Sequence, residues 1–272
     1  MNAYCTLSQL KTQLGITATT DDTDLRKTIE GTSRGIDNYC KRPFYSTLAT
    51  RYFDVAAGGG IKLNDDLLSI TTMTVDDDGD GTFGETWTED THFMLKPFNC
   101  WPKYELWVVP YTANTQTLTV AQRALKIIGN WGYGDGESAS PWLTSGLTVT
   151  VTTTTATAVT ASAAGFVAGQ TIRVGTEDMY IEAATTTALT ARRGVNGSTA
   201  QIHVAVAASI AQYPSPIGLY CIASAARSWK DFKEAGYDSE YIGTYSYRKA
   251  TVNQQDAFTQ RMIGPYVKRI FL

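Results

Sequence analysis

The sequence predicts an α+β protein: a helical core with a small antiparallel β region, carrying an inserted all-β domain of Ig-like or small-barrel type. Three observations lead there. Apolar residues recur at helical spacing near both ends, at about 22–40 and 215–236. From Phe44 to about Trp131 the period falls toward two, punctuated by Gly, Pro and Asp. At Gly146 the composition shifts to Thr, Ala and Val, and residues 147–211 hold no Cys, Trp or Pro. Residues 1–145 and 213–272 are therefore expected to form one discontinuous core domain, and 146–212 the insertion.

Taken in order, the chain opens with a short helix. Thr6 followed by Gln9 is a capping box, Leu7, Leu10 and Leu14 share a face, and Gly15 stops it. A second helix over about Asp22 to Cys40 places Leu25, Ile29, Ile36 and Tyr39 or Cys40 on one stripe and ends at Pro43. Segments such as RYFDV, IKLND, LSITTMTV, YELWVVPY and ALKIIGNW then read as short strands of a compact sheet packed by the helices. Residues 147–211 read as about five strands, because the alternation and β-branched content of LTVTVTTTTATAV favour an ordered strand over a linker. After Pro214, Ser215 and Pro216 start a helix whose stripe runs through Ile217, Tyr220 or Cys221, Ala225, Trp229 and Phe232. YIGTYSYRK is an aromatic, basic connector, and DAFTQRMI is a last short helix closed by Gly264 and Pro265.

Composition bounds the function. A hydrophobic content of 43% and an aromatic content of 11% belong to a folded chain. No apolar run approaches membrane-spanning length and MNAYCTLSQL lacks signal-peptide character, so a soluble protein made in the cytoplasm is expected. Four cysteines are scattered without a CxxC pair, which suits free buried thiols. The net charge of -3 is uneven: residues 1–145 carry -6 and residues 213–272 carry +3. No segment is basic enough for gripping nucleic acid. Neither His92 nor His203 has a metal-ligand neighbour at i+4, and no nucleophile elbow or HExxH helix is present, so the chain is read as a non-enzyme without cofactors.

DDDGDGTFGETW, residues 76–87, imitates a calcium loop through Asp76, Asp78, Asp80 and Gly81. Its twelfth position is Trp87 where a bidentate glutamate belongs, with Glu85 and Glu89 falling to either side, and its flanks are strands. It is read as a polar turn, with Asp76, Asp78 and Asp80 the only metal candidates. A calcium-dependent or carbohydrate-binding phage attachment protein is the alternative reading that this stretch and the Thr-rich module would support.

The order TLSQLKTQLGI, GIDNYCKRPF, TVDDDGDGTFGETWTEDTHFMLKP, GNWGYGD ahead of Pro141, and SPIGLYCIASAARSW resembles the head-tail connector (adaptor) proteins of tailed bacteriophages. The likeness covers residues 1 to about 145 and 213–272. It implies a virion structural protein of the neck, about twelve copies in a ring under the portal, lining a channel through which genomic DNA passes without sequence-specific binding. The implied partners are the portal protein, neighbouring subunits and tail or stopper/nozzle proteins, with no membrane. The C-terminal segment is expected to dock on the portal through Arg261, Lys268 and Arg269 as charges and Tyr266, Ile270 and Phe271 as anchors, and removing 265–272 is expected to abolish portal binding while sparing the fold. The 65-residue insertion departs from the family. Its RGVNGSTAQIH is similar to small β modules of phage structural proteins, is expected to project outward, and contains Arg192 and Arg193 as turn residues.

Overall fold

The computed structural model describes residues 2–55, 60–76, 78–109, 121–233, 239–242, 245–248 and 252–268, with 239–256 described by backbone alone. Among these residues the protein is mostly β, with two antiparallel sheets dominating and four helices beside them. The expected helical core with a small β region is overturned by this arrangement. No described helix is long and apolar enough to cross a membrane.

One strand accounts for much of the difference. IKLND and LSITTMTV, expected as separate segments, are a single strand β2, Gly60–Val75, once β1, Thr47–Phe53, has run. Asp65 and Asp66 do not break it, because Arg51 pairs with Asp65 and Arg42 with Asp66. The sheet continues with β3 Glu85–Trp87, β4 Phe93–Lys96, β5 Lys103–Val108 and β6 Leu125–Trp131, in the order β1-β6-β2-β5-β4, with β3 joined to β2. The first part of β2 pairs with β5 and its remainder with β6, and the register shifts between bend the strand so that the sheet curls. Its concave face buries Phe53, Met73, Trp87, Phe93, Leu106 and Trp131 against one another. The sheet thus owns its core instead of borrowing the helices.

The second sheet closes on itself. β7 Trp142–Val151, β8 Ala158–Ala161, β9 Thr171–Val174, β10 Glu177–Ala184, β11 Ala188–Val195 and β12 His203–Ala211 form a barrel in the order β10-β11-β8-β7-β12-β9. Closure removes the free edges that a Thr- and Val-rich sheet would otherwise expose. Val149, Val159, Ile172, Ile181, Ala191 and Ala208 fill the interior, small side chains suiting a narrow barrel.

The helices form a third cluster. In α1, Leu7–Leu14, the Thr6 hydroxyl accepts the Gln9 amide while the Gln9 carboxamide accepts the Thr6 amide. Leu10 of α1, Leu25, Ile29 and Ile36 of α2 (Asp22–Cys40), and Ile217, Cys221 and Ala225 of α3 (Ser215–Lys233) are buried together with Phe44 and the barrel's Tyr180. YIGTYSYRK lies largely within a two-stranded hairpin, β13 Ser239–Ile242 and β14 Tyr245–Arg248. α4, Val252–Ile263, follows and runs into a 3-10 turn, Gly264–Tyr266.

The barrel is clamped to the rest and not merely tethered by its two ends. Its β11–β12 turn enters left-handed backbone at Asn196 and Gly197, φ 57° and 78°. The Leu48 amide of β1 donates to the Asn196 carbonyl at 2.9 Å, and the Asn2 carboxamide donates to Asn196 Oδ1 at 2.7 Å. On the other side the Leu7 amide donates to the Ala168 carbonyl. A Cβ at Gly197 would fall 2.0 Å from the Leu48 carbonyl oxygen. Gly197→Ala is therefore expected to cost at least roughly 2 kcal/mol in urea unfolding and to open the barrel–β1 seam to limited proteolysis.

Candidate functional site

The segments 40–44, 131–141 and 264–268 converge on one junction. Phe44, fully buried just after α2, meets the rings of Tyr4, Tyr133 and Tyr266 at centroid distances of 5.6, 5.4 and 5.9 Å. Tyr133 and Tyr266 also meet edge-on at 5.7 Å. Backbone bonds lock the same place: the Tyr133 amide donates to Pro43, the Gly134 amide to Phe44 and the Lys268 amide to Cys40, at 2.9, 3.1 and 2.8 Å. Gly132 is required there, since a Cβ would sit 2.1 Å from the Tyr45 carbonyl oxygen.

A polar group supports this aromatic cluster. The Tyr4 hydroxyl donates to Asp37 and accepts the Phe44 amide at 3.0 Å, while the Arg34 guanidinium lies 3.2 Å from Asp37. Burial pushes the Asp37 carboxyl up to about 6, against the Tyr4 hydroxyl and Arg34, which favour its charged form.

Beside the junction lies a groove of about 660 Å³, bounded by Arg42, Lys62, Asn64, Tyr104, Tyr133 and Lys268 among others. Under it, the Asp66 side chain is 1% exposed and sits 3.4 Å from Arg42 Nε and 3.8 Å from Lys268 Nζ. Neither Asp66 oxygen nor Arg42 Nε has a hydrogen-bond partner. Burial lowers the Lys268 ammonium's pKa; Asp66 opposes this, while Arg42 and Arg51 add to it. The wall is thus a desolvated, cation-rich surface.

The expected C-terminal anchors divide accordingly. Arg261 is exposed at the end of α4, whereas Tyr266 and Lys268 pack on the chain's own core; Arg269, Ile270 and Phe271 lie outside the described residues. Removing 265–272 would therefore take out part of the Phe44 packing, contrary to the expectation that the fold is spared.

Asp76, Asp78 and Asp80 do converge, with ligand atoms within 4.8 Å of one another. Their oxygens already serve the turn. Asp76 accepts the Gly79 and Gly81 amides at 2.8 and 2.9 Å, Asp78 accepts the Asp80 amide and Asp80 the Thr82 amide. These bonds explain why Asp and Gly occupy this stretch, with Gly79 and Gly81 at φ 79° and 86°. Glu85 instead accepts the Trp87 indole N–H at 3.1 Å.

Arg192 and Arg193 also separate. Arg192 pairs with Glu182 near the surface, while Arg193 reaches inward to Glu177, which is wholly buried. The Glu177 carboxylate lies 2.6 and 2.7 Å from Arg193, accepts the Gly194 and Gln201 amides, and is 2.9 Å from His203 Nε2. Burial pushes this carboxyl upward, yet Arg193, Gln201, His203 and Gly194 together hold it below the usual range. The RG and H of RGVNGSTAQIH are the parts of this buried network, so the motif is architectural here.

Sequence reasoning missed the Glu177 network, Asp66 and the thiol pair of Cys5 and Cys221, whose Sγ atoms lie 3.4 Å apart across 216 positions. Cys100 is exposed, unlike the buried thiol expected. Nothing local in the sequence signals these pairings. No known protein family, curated protein or solved structure matches the chain.

Two outcomes follow from the geometry. Because the Asp37 value of about 6 lies above an unfolded value near 4, its contribution to stability is full below about pH 4 and is lost as pH rises through about 6. Asp37→Asn should remove a slope on the order of 2 kcal/mol across that window, read from urea titrations at each pH. Millimolar Ca²⁺ should leave Tm unchanged, because Trp87 stands where a bidentate glutamate belongs and Glu85 is turned to the Trp87 indole, whereas Asp76→Ala, which strips two amides of their acceptor, should cost about 1–2 kcal/mol.

Proposed function

We propose that this chain is a virion structural protein, a head-to-tail adaptor that assembles as a ring beneath the portal and lines the channel through which DNA passes. The observation that carries this reading is the Phe44 junction. YCKRPF, GNWGYGD and the SPIGLYCIASAARSW helix, far apart in sequence and quoted for the resemblance to connector proteins, are built into one packed unit together with the N-terminal TLSQLKTQL helix. Their order in the chain therefore has a common structural reason, which supports treating them as one pattern instead of separate weak likenesses.

The functional assignment follows from that pattern and from what a neck protein must do. It must hold a fixed shape while bearing neighbours on several sides, which suits two self-contained sheets clamped to a helical cluster. The portal is the partner proposed for the C-terminal end, with Arg261 and the segment beyond Lys268 as its reading surface. Genomic DNA is proposed to pass without base contacts, and tail or stopper proteins to meet the opposite side of the ring. The attachment-protein alternative draws on Asp76, Asp78 and Asp80, four of whose six oxygens accept the turn's own amides.

The test is sedimentation of the purified chain alone and with portal rings. Closed oligomers, or a complex with one copy per portal subunit, are expected; a monomer that ignores the portal would overturn the reading. Truncation after Lys268 removes Arg269, Ile270, Phe271 and Leu272 but keeps the Tyr266 packing. It should weaken portal binding at least about tenfold with Tm unchanged.

A further inference from the structure

We propose that the cation-walled groove receives the acidic β2–β3 turn of a second copy of this chain, so that β2 carries a hole at one end and a matching knob at the other. Three observations support this. The groove presents Arg42, Lys62 and Lys268, and the Arg42 side chain is nine-tenths buried, with its Nε 3.4 Å from Asp66 and without a hydrogen bond. The Lys268 ammonium is destabilised there by burial, and Arg42 and Arg51 add to it. Lys268 Nζ donates to the Asn64 carbonyl and lies 3.8 Å from Asp66, so an incoming carboxylate would add a second counter-charge to this pair of cations. Glu105, opposite Lys62 across β2 and β5, keeps its charge while one oxygen accepts the Trp107 indole N–H at 2.9 Å, so with Asp66 the groove sets three cations against two acids.

The turn has the complementary properties. Asp78 and Asp80 are exposed, and a Cβ added at Gly79, Gly81 or Gly84 would meet nothing within 4 Å, so the tip of the turn stands clear of its own chain. Asp76 holds it in shape through the Gly79 and Gly81 amides, which lowers the entropy lost on docking. Tyr104, Tyr133 and Leu63 give the groove apolar walls, while Phe83 of the turn packs on Tyr52 of its own chain at 5.5 Å and anchors the base of the turn.

Placement decides between a contact within one chain and one between chains. Lys62 and Asn64 lie at the start of β2 and Asp76 just beyond its end. Twelve residues of strand lie between Asn64 and Asp76, a contour of up to roughly 40 Å at 3.3 Å per residue, and no residue of the turn lines the groove of its own chain. Joining two different patches on successive copies makes a heterologous contact, the type from which rings are built. The inference rests on the ring reading above and names the surfaces that would join the subunits.

Sedimentation of two surface variants and their mixture tests it. Lys62→Glu spoils the hole, and Asp78→Asn with Asp80→Asn discharges the knob while keeping acceptors for the Asp80 and Thr82 amides. The wild-type chain is expected to self-associate, more weakly as salt is raised. Each variant alone should dissociate at about tenfold higher concentration or more, with unchanged Tm. Mixed, they should form a 1:1 dimer and nothing larger, since only one intact knob and one intact hole remain. Variants that assemble like the wild type would overturn the knob and hole while leaving a ring built by other surfaces. A wild-type chain that stays monomeric, alone and with portal, would overturn this inference and the adaptor reading together.

Discussion

Burial of Phe44 against three tyrosines constrains the whole molecule, because each partner arrives from a different part of the chain. Tyr4 precedes α1, Tyr133 follows the last strand of the curled sheet, and Tyr266 ends the 3-10 turn after α4. Truncating such a ring typically costs about 3–5 kcal/mol, a large share of the stability of an ordinary domain. The backbone bonds from Tyr133, Gly134 and Lys268 could not form without this packing to bring their segments together. Asp37 is the polar cost of the arrangement: it is held under Tyr4 partly desolvated, and its raised pKa reflects that.

The barrel is held by a second constraint of different character. Glu177 would be expensive to bury alone, and it is tolerated because a bidentate arginine, two amides and an imidazole surround it. The same network fixes the left-handed turn at Asn196 and Gly197, which carries the contact with Leu48. An internal electrostatic cluster therefore sets an external seam. Removing one partner would leave a buried charge unpaired, so the barrel's fold and its attachment should fail together.

Legibility in the sequence followed the range of the interaction. The capping box of Thr6 and Gln9 spans three residues, and the DDDGDG turn is satisfied by its own amides, so both could be read locally. β2 could not. Asp65 and Asp66 look like a turn until Arg51 and Arg42, distant in sequence, neutralise them within a continuous strand; mistaking it for two strands made the sheet look small and the helices look like the core. RGVNGSTAQIH was visible as a pattern, but its meaning depended on barrel closure bringing Glu177 to Arg193 and His203. The groove is formed by Arg42, Lys62 and Lys268 from three regions, and only the last stood out in the sequence, as a candidate for an outward contact.

The account stands or falls on whether the three segments at Phe44 form one cooperative unit, and hydrogen exchange read by mass spectrometry addresses this directly. The amides of Tyr133, Gly134 and Lys268, which donate to Pro43, Phe44 and Cys40, are the reporters. The account predicts that they exchange together, at the rate of global unfolding, and that Phe44→Ala accelerates all three. Rapid exchange at Lys268 while Tyr133 and Gly134 stay protected would contradict it, by showing that the C-terminal turn is not part of the junction.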